Sequence, residues 1–265
     1  MPLARLRSQA MVLAAHARRA RLVTALVTLG VSACALLELA TAPPASGTAD
    51  VRTAGDRSSG YVLVYSGPVV CHGCAELVGD VVRAAGLPLR YVSRPEQVAG
   101  LLRSASAFVV PATDYGTESM RRSFAASALP ALRSYLRAGG RYWGVCGGAF
   151  LAARLGIVPV RVETYSGNPR PHLEKVRWYG RLRWMFYEGG PRFIRTSPEA
   201  AIKVIATYSD GSIAAFAHRV GRGKVIVTGP HPEATRSWLI ANGVSPSGWR
   251  PTFPLAVAML RDLLA

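Results

Sequence analysis

The chain has 265 residues, 50% of them hydrophobic and 18% charged, so it holds enough apolar material for a packed core and too little polarity for general disorder. Its 32 Lys and Arg against 15 Asp and Glu give a net charge of +17, which excludes an acidic solvating tail, and its 4 cysteines exclude a disulfide-dense mini-scaffold. Lys175, Lys203 and Lys224 are the only lysines, so the excess is almost all arginine; GC-rich coding produces the same bias, and charge alone does not establish a polyanion partner.

The N-terminus carries Arg5, Arg7, Arg18, Arg19 and Arg21 without an acid, followed by an uncharged run from Leu22 to Leu37. This is the basic segment and apolar stretch of an export signal. Extended to Ala42, the run reaches roughly the 20 residues that cross a bilayer as a helix, and the arginines predict a cytoplasmic N-terminus with the remainder outside. Ala40-Thr41-Ala42 reads as a small-residue cleavage site and Val31-Ser32-Ala33-Cys34 as a bacterial lipobox. An uncleaved anchor, a cleaved or lipidated signal and a plain cytosolic helix therefore remain open. Residues 43–60, rich in Pro, Ala, Ser, Thr and Gly, read as a flexible linker. The expected organisation is thus a basic and hydrophobic segment over 1–42, a linker over 43–60 and one domain over 61–265.

Within that domain, Tyr61–Tyr65 predicts a strand stopped by Ser66-Gly67-Pro68. A helix follows over Cys74–Ala85, ended by Gly86, then a strand over Leu89–Val92 and a helix over Pro95–Ser104. Ala107–Val110 is a continuous apolar run of the kind buried in a parallel sheet. Glu118–Arg137 predicts a long helix that Pro130 kinks or divides, and Arg141–Val145 the next strand. This alternation implies a parallel sheet with helices on both faces, and ligands in such folds gather at the carboxyl ends of the strands. Later strands are expected over Ile202–Tyr208, Ile213–His218 and Lys224–Thr228, with a turn at Asp210-Gly211, and a final helix over Phe253–Leu264.

Gly144-Val145-Cys146-Gly147-Gly148-Ala149 lies where a strand gives way to a helix. Small neighbours permit the tight elbow that lifts a nucleophile from a sheet, and a helix N-terminus favours a thiolate there. A buried cysteine in a glycine-rich turn is the plain structural alternative. Downstream, Gly229-Pro230-His231-Pro232-Glu233 follows another strand, so His231 can serve as base and Glu233 as its orienting acid.

These segments resemble the biotin-protein ligase N-terminal domain family, within the class I glutamine amidotransferase-like superfamily. The residues that carry the likeness are Tyr65-Ser66-Gly67-Pro68, the stretch from Gly139 to Ala149, Tyr187-Glu188-Gly189-Gly190-Pro191-Arg192-Phe193 and Gly229 to Glu233. The resemblance covers about residues 60–265 and implies a flavodoxin-like three-layer α/β sandwich with a mostly parallel sheet, preceded here by the hydrophobic N-terminal helix. It also implies a Cys146, His231 and Glu233 site, with oxyanion contacts from Gly147 and from the loop Pro111-Ala112-Thr113. Two departures bear on activity. Phe150 stands where true glutamine amidotransferases have a glutamine, which argues against glutamine as substrate. Pro111-Ala112-Thr113-Asp114 replaces a usual Gly-Gly pair, and Pro111 has no N–H to offer. With the chain ending one helix after the His-Pro-Glu loop, no biotin ligase domain is expected.

Cys71-His72-Gly73-Cys74 opens the first helix. The spacing suits a disulfide that stitches the loop, a redox pair or half of a zinc site; no second half is present, so no metal is expected. If the domain is exported, the disulfide that stitches the loop is the favoured reading over catalytic redox; because the loop also sits at a strand's carboxyl end, either sulfur can share a site with Cys146. His16, His72, His172 and His218 have no partner spacing. Residues 170–195 interleave seven Arg and Lys with six aromatics; the pattern fits anionic headgroups or polymers, and more simply strands with aromatics inward and arginines outward. Residues 58–265 hold 25 of the bases and 12 of the acids, leaving +13 on the domain itself. An anionic surface is the expected setting, and nucleic acid is disfavoured by export. Two functional expectations follow: a membrane-anchored or exported cysteine-nucleophile hydrolase or amidase-like enzyme acting on an unidentified small molecule or envelope substrate without cofactor, or a non-catalytic binding or scaffold domain that keeps the elbow structurally.

Overall fold

The computed structural model describes residues 60–114, 117–166 and 168–265. By its contacts the chain divides into Met1–Val51 and Arg52–Ala265, and every described residue lies in the second unit. The expected anchor, and the linker up to residue 59, fall outside the described residues. Among the described residues no helix is long and apolar enough to cross a membrane.

The first half alternates as its sequence pattern predicts: β1 (Tyr61–Tyr65), α1 (Cys74–Ala84), β2 (Leu89–Val92), α2 (Pro95–Leu101) with a 3₁₀ turn at Leu102–Ser104, β3 (Ala105–Val110), α3 (Thr117–Ser127), α4 (Leu129–Arg137), β4 (Arg141–Val145) and α5 (Gly147–Arg154). The expected long helix is divided at Ala128, which puts Pro130 in the first turn of α4, where its missing N–H costs no intrahelical bond. The second half is β-rich: β5 (Val160–Thr164), β6 (His172–Trp178), β7 (Arg181–Tyr187), β8 (Pro191–Arg195), β9 (Ile202–Tyr208), β10 (Ile213–Val220) and β11 (Gly223–Thr228), followed by α6 (Arg236–Ala241) and α7 (Phe253–Leu264).

The sheet is mixed rather than mostly parallel. Its order is β2-β1-β3-β4-β11-β10-β9-β6-β7, with β8 pairing β10 and β5 pairing β8. Pairings from β2 to β11 are parallel, and all those beyond are antiparallel. The connections explain the change. β6 and β7 are joined by Tyr179 and Gly180, both at positive φ (45° and 77°), and β10 and β11 by Gly221 and Arg222. Links this short join only antiparallel neighbours, whereas parallel ones need a crossover. β5 and α6 have weak sequence signals, being short and bounded by Pro, Gly and Asn.

Alternate residues of the parallel strands feed two cores. Val62, Val64, Trp143, Val145 and Ile226 pack with Val78, Val81 and Val82 of α1 and Met259, Leu260 and Leu263 of α7. Leu63, Tyr65, Phe108, Tyr142 and Val227 pack on the other side with Phe124 of α3 and Leu132 and Leu136 of α4. The period of two along each strand therefore produces three layers. In β6 and β7 the inward-aromatic expectation holds for Trp178 and Tyr187, which join the sheet core; Phe186 is buried on the other face of β7, where Trp184, two residues before it, is 52% exposed.

Candidate active site

β4 and β11 are parallel neighbours, in register from Arg141 opposite Lys224 to Val145 opposite Thr228. Their carboxyl ends consequently release Cys146 and the Gly229–Glu233 loop side by side. The Cys146 N–H donates to the Thr228 carbonyl at 2.8 Å, tying the two exits together.

Cys146 caps α5 with φ 47° and ψ −101°, a left-handed backbone that a side-chain-bearing residue adopts only under constraint. Several contacts supply that constraint. Gly148 donates its N–H to the Pro111 carbonyl at 3.1 Å, and the buried Tyr142 hydroxyl donates to the Gly148 carbonyl at 2.8 Å. A Cβ on Gly148 would collide with the Val110 carbonyl, and one on Gly147 with Thr113. Glycines are thus required here for close approach of the β3 loop to the elbow.

His231 and Glu233 are 3% and 2% exposed. His231 Nδ1 lies 2.9 Å from Glu233 Oε1, and the His231 backbone N–H donates to the Phe186 carbonyl at 2.9 Å. Nε2 is buried without a conventional hydrogen-bond partner among the described residues. The group left to use it is the Cys146 sulfur, which interacts with the ring. Burial by itself lowers the His231 pKa, but the Glu233 carboxylate and the Cys146 sulfur outweigh it and push it up to about 10. The ring is therefore favoured in its protonated form.

A cavity of about 330 Å³ opens over these groups. Cys146, Gly147, His231, Ala112 and Thr113 line it, as does Cys71. Glu233 stands behind His231 rather than in the wall. Pro111 is likewise outside the wall, and its carbonyl supports Gly148 instead. The Thr113 amide lies against Gly147, whose own N–H, in the first turn of α5, has no intrahelical acceptor. Phe150 also faces the cavity, with the Arg154 guanidinium 5.2 Å from its ring centroid.

Glu188 was not given a site role by its sequence pattern, yet it forms part of the wall. The Cys146 thiol donates to its carbonyl over 3.7 Å. Burial, together with nearby Asp114, raises the Glu188 pKa against the lowering effect of His231. Its place in the Tyr187-Glu188-Gly189-Gly190 stretch was the available signal. Cys71 and Cys74 form a disulfide. Among the described residues no group of three or more His, Cys, Asp or Glu is placed to hold a metal ion.

Residues 168–247 match the family model described as Biotin-protein ligase, N terminal. No curated protein matches the chain. Among solved structures, a glutamine amidotransferase is similar at 19% identity and TM-score 0.53, covering 70% of this chain and 100% of that one. PurLQS from Thermotoga maritima is similar at 14% identity and TM-score 0.57, covering 77% and 99%. A second glutamine amidotransferase, from Thermotoga maritima, is similar at 14% and 0.54, covering 78% and 96%. Residues 168–247 are thus similar to the biotin-protein ligase N-terminal model, on an α/β fold similar to that of the glutamine amidotransferases.

Proposed function

We propose that the domain is a cysteine-nucleophile hydrolase or amidase-like enzyme, in which Cys146 attacks a carbonyl carbon, His231 handles the proton and Glu233 orients His231. The observation that carries this reading is the buried 2.9 Å contact between His231 Nδ1 and Glu233 Oε1, which directs the other ring nitrogen to the nucleophile at the end of the neighbouring strand. The Gly147 and Thr113 amides are the candidate oxyanion donors. Phe150 and the cavity of about 330 Å³ suit a small substrate other than glutamine.

The setting belongs to the same proposal: residues 22–42 tether the domain to a membrane, and the domain works outside the cytoplasm against an anionic surface. Its positive charge has a local focus. A second cavity, of about 710 Å³, is lined by Arg141, Arg195, Lys203, Arg219, Arg222 and Lys224. Arg141 begins β4 and Lys224 is the second residue of β11, so this basic cavity lies at the opposite end of the strands from Cys146.

Labelling with iodoacetamide, read by intact mass and peptide mapping, tests the site. Cys146 is expected to react at neutral pH, about a hundredfold more slowly in His231→Ala. An inert Cys146, or one indifferent to His231→Ala in a folded variant, would overturn the enzymatic reading in favour of a scaffold domain.

A further inference from the structure

The mouth of the candidate site holds a second sulfur chemistry. Cys71 is half-buried and lines the same cavity as Cys146, whereas its disulfide partner Cys74 is 2% exposed and begins the 11-residue helix α1. The two loops are joined by backbone: the Cys71 N–H donates to the Ala112 carbonyl at 3.2 Å, and the next residue, Thr113, packs on Gly147 immediately after Cys146. The three sulfurs are therefore ordered. Cys146 and Cys71 border one cavity, and the sulfur that an attack on Cys71 would displace, Cys74, lies at a helix N-terminus, where free N–H groups and the helix dipole stabilise a leaving thiolate.

We infer that Cys146, Cys71 and Cys74 form an intramolecular thiol–disulfide exchange centre, in which Cys146 attacks the Cys71 sulfur and Cys74 leaves. A Cys146–Cys71 bond forms as the Cys71–Cys74 bond breaks, and the proton lost by the Cys146 thiol ends on Cys74 by way of solvent. Among these three cysteines one disulfide and one thiol are present before and after, so no external oxidant or reductant enters; Cys34, the fourth cysteine of the chain, takes no part. The buried imidazole of His231, which faces Cys146, favours the attacking thiolate. In the exchanged form the nucleophile is masked, and the free Cys74 thiol can restore it by the reverse step. This inference rests on Cys146 being the reactive nucleophile proposed above.

The test uses the full chain, purified without reductant, incubated at mildly alkaline pH, alkylated with N-ethylmaleimide at low pH and digested with trypsin under non-reducing conditions. Cleavage after Arg57, Arg83, Arg141 and Arg154 places Cys71 and Cys74 in one peptide and Cys146 in another. The expected result is a cross-linked pair of those peptides carrying a single alkyl group on Cys74, which disappears in Cys146→Ser. Detection of only the internal Cys71–Cys74 disulfide with alkylated Cys146 would overturn the inference. A parallel iodoacetamide reaction on the Cys71→Ser/Cys74→Ser double variant separates the two ideas. If Cys146 still labels there in a His231-dependent way while no cross-link forms in the wild type, the nucleophile stands and the exchange falls. Should the double variant not fold, the same labelling on the wild-type chain, whose cysteine pair is already blocked by its disulfide, makes the distinction.

Discussion

His231 Nδ1 sits 2.9 Å from Glu233 Oε1 with both side chains almost wholly removed from solvent, two residues apart on one loop. A buried carboxylate and imidazole at this distance stabilise each other as an ion pair, and separating them by substitution leaves an uncompensated group in the interior. The relationship makes the pH response of the fold predictable.

The imidazole pKa, 6.5 in the reference state, rises to about 10 in the folded chain because Glu233 and Cys146 outweigh the lowering effect of burial. Proton binding to His231 therefore stabilises the fold fully below the unfolded value and progressively less as pH climbs through the window from 6.5 to about 10. Glu233→Gln removes the main raising cause. Urea denaturation is expected to show a larger stability gap between wild type and variant near ~pH 6 than near ~pH 10; a gap that widens with pH would contradict the assignment.

The elbow should be intolerant of a single methyl group. A Cβ at Gly148 runs into the Val110 carbonyl, and backbone on both sides is fixed by hydrogen bonds. Gly148→Ala is expected to destabilise by about 1–3 kcal/mol, measured by urea or thermal unfolding.

Tyr142→Phe offers a milder probe of the same corner. It deletes the buried 2.8 Å hydrogen bond to the Gly148 carbonyl while keeping the ring against Phe108. A loss of about 0.5–1.5 kcal/mol is expected. The Cys146 labelling rate should fall as well, because the elbow loses one of its anchors.

Asp114 and Glu188 line the cavity beside Cys146, and among the described residues His231 is the one basic side chain in its wall. An anionic electrophile should therefore enter less readily than a neutral one. The ratio of iodoacetamide to iodoacetate rates at Cys146 is expected to exceed that of the denatured chain, and Glu188→Gln to reduce it by about threefold to tenfold. An unchanged ratio in the folded variant would remove Glu188 as an electrostatic filter.

Much of the parallel half was legible because its signals are local. Runs such as Tyr61–Tyr65 and Arg141–Val145 declare strands by their own composition, and Gly86 and Pro130 mark helix boundaries through backbone sterics. The antiparallel half was less legible. Short links at Tyr179-Gly180 and Gly221-Arg222 set pairing direction, but β5 and β8 pair across intervening chain that no local pattern encodes.

The candidate site divides along the same line. By itself the sequence determined the Cys146 elbow, the adjacent His231 and Glu233, and the Cys71-x-x-Cys74 spacing, since each depends on residues a few positions apart. Tertiary structure alone decided that β4 and β11 are neighbours, that Phe186 of β7 holds the His231 backbone and Glu188 just after that strand meets Cys146, that Glu233 stands behind His231, and that Cys71 opens into the same cavity as Cys146. Those juxtapositions arise from strand order and from burial of two opposite sheet faces. Both are properties of the whole packed chain, and no short segment carries them.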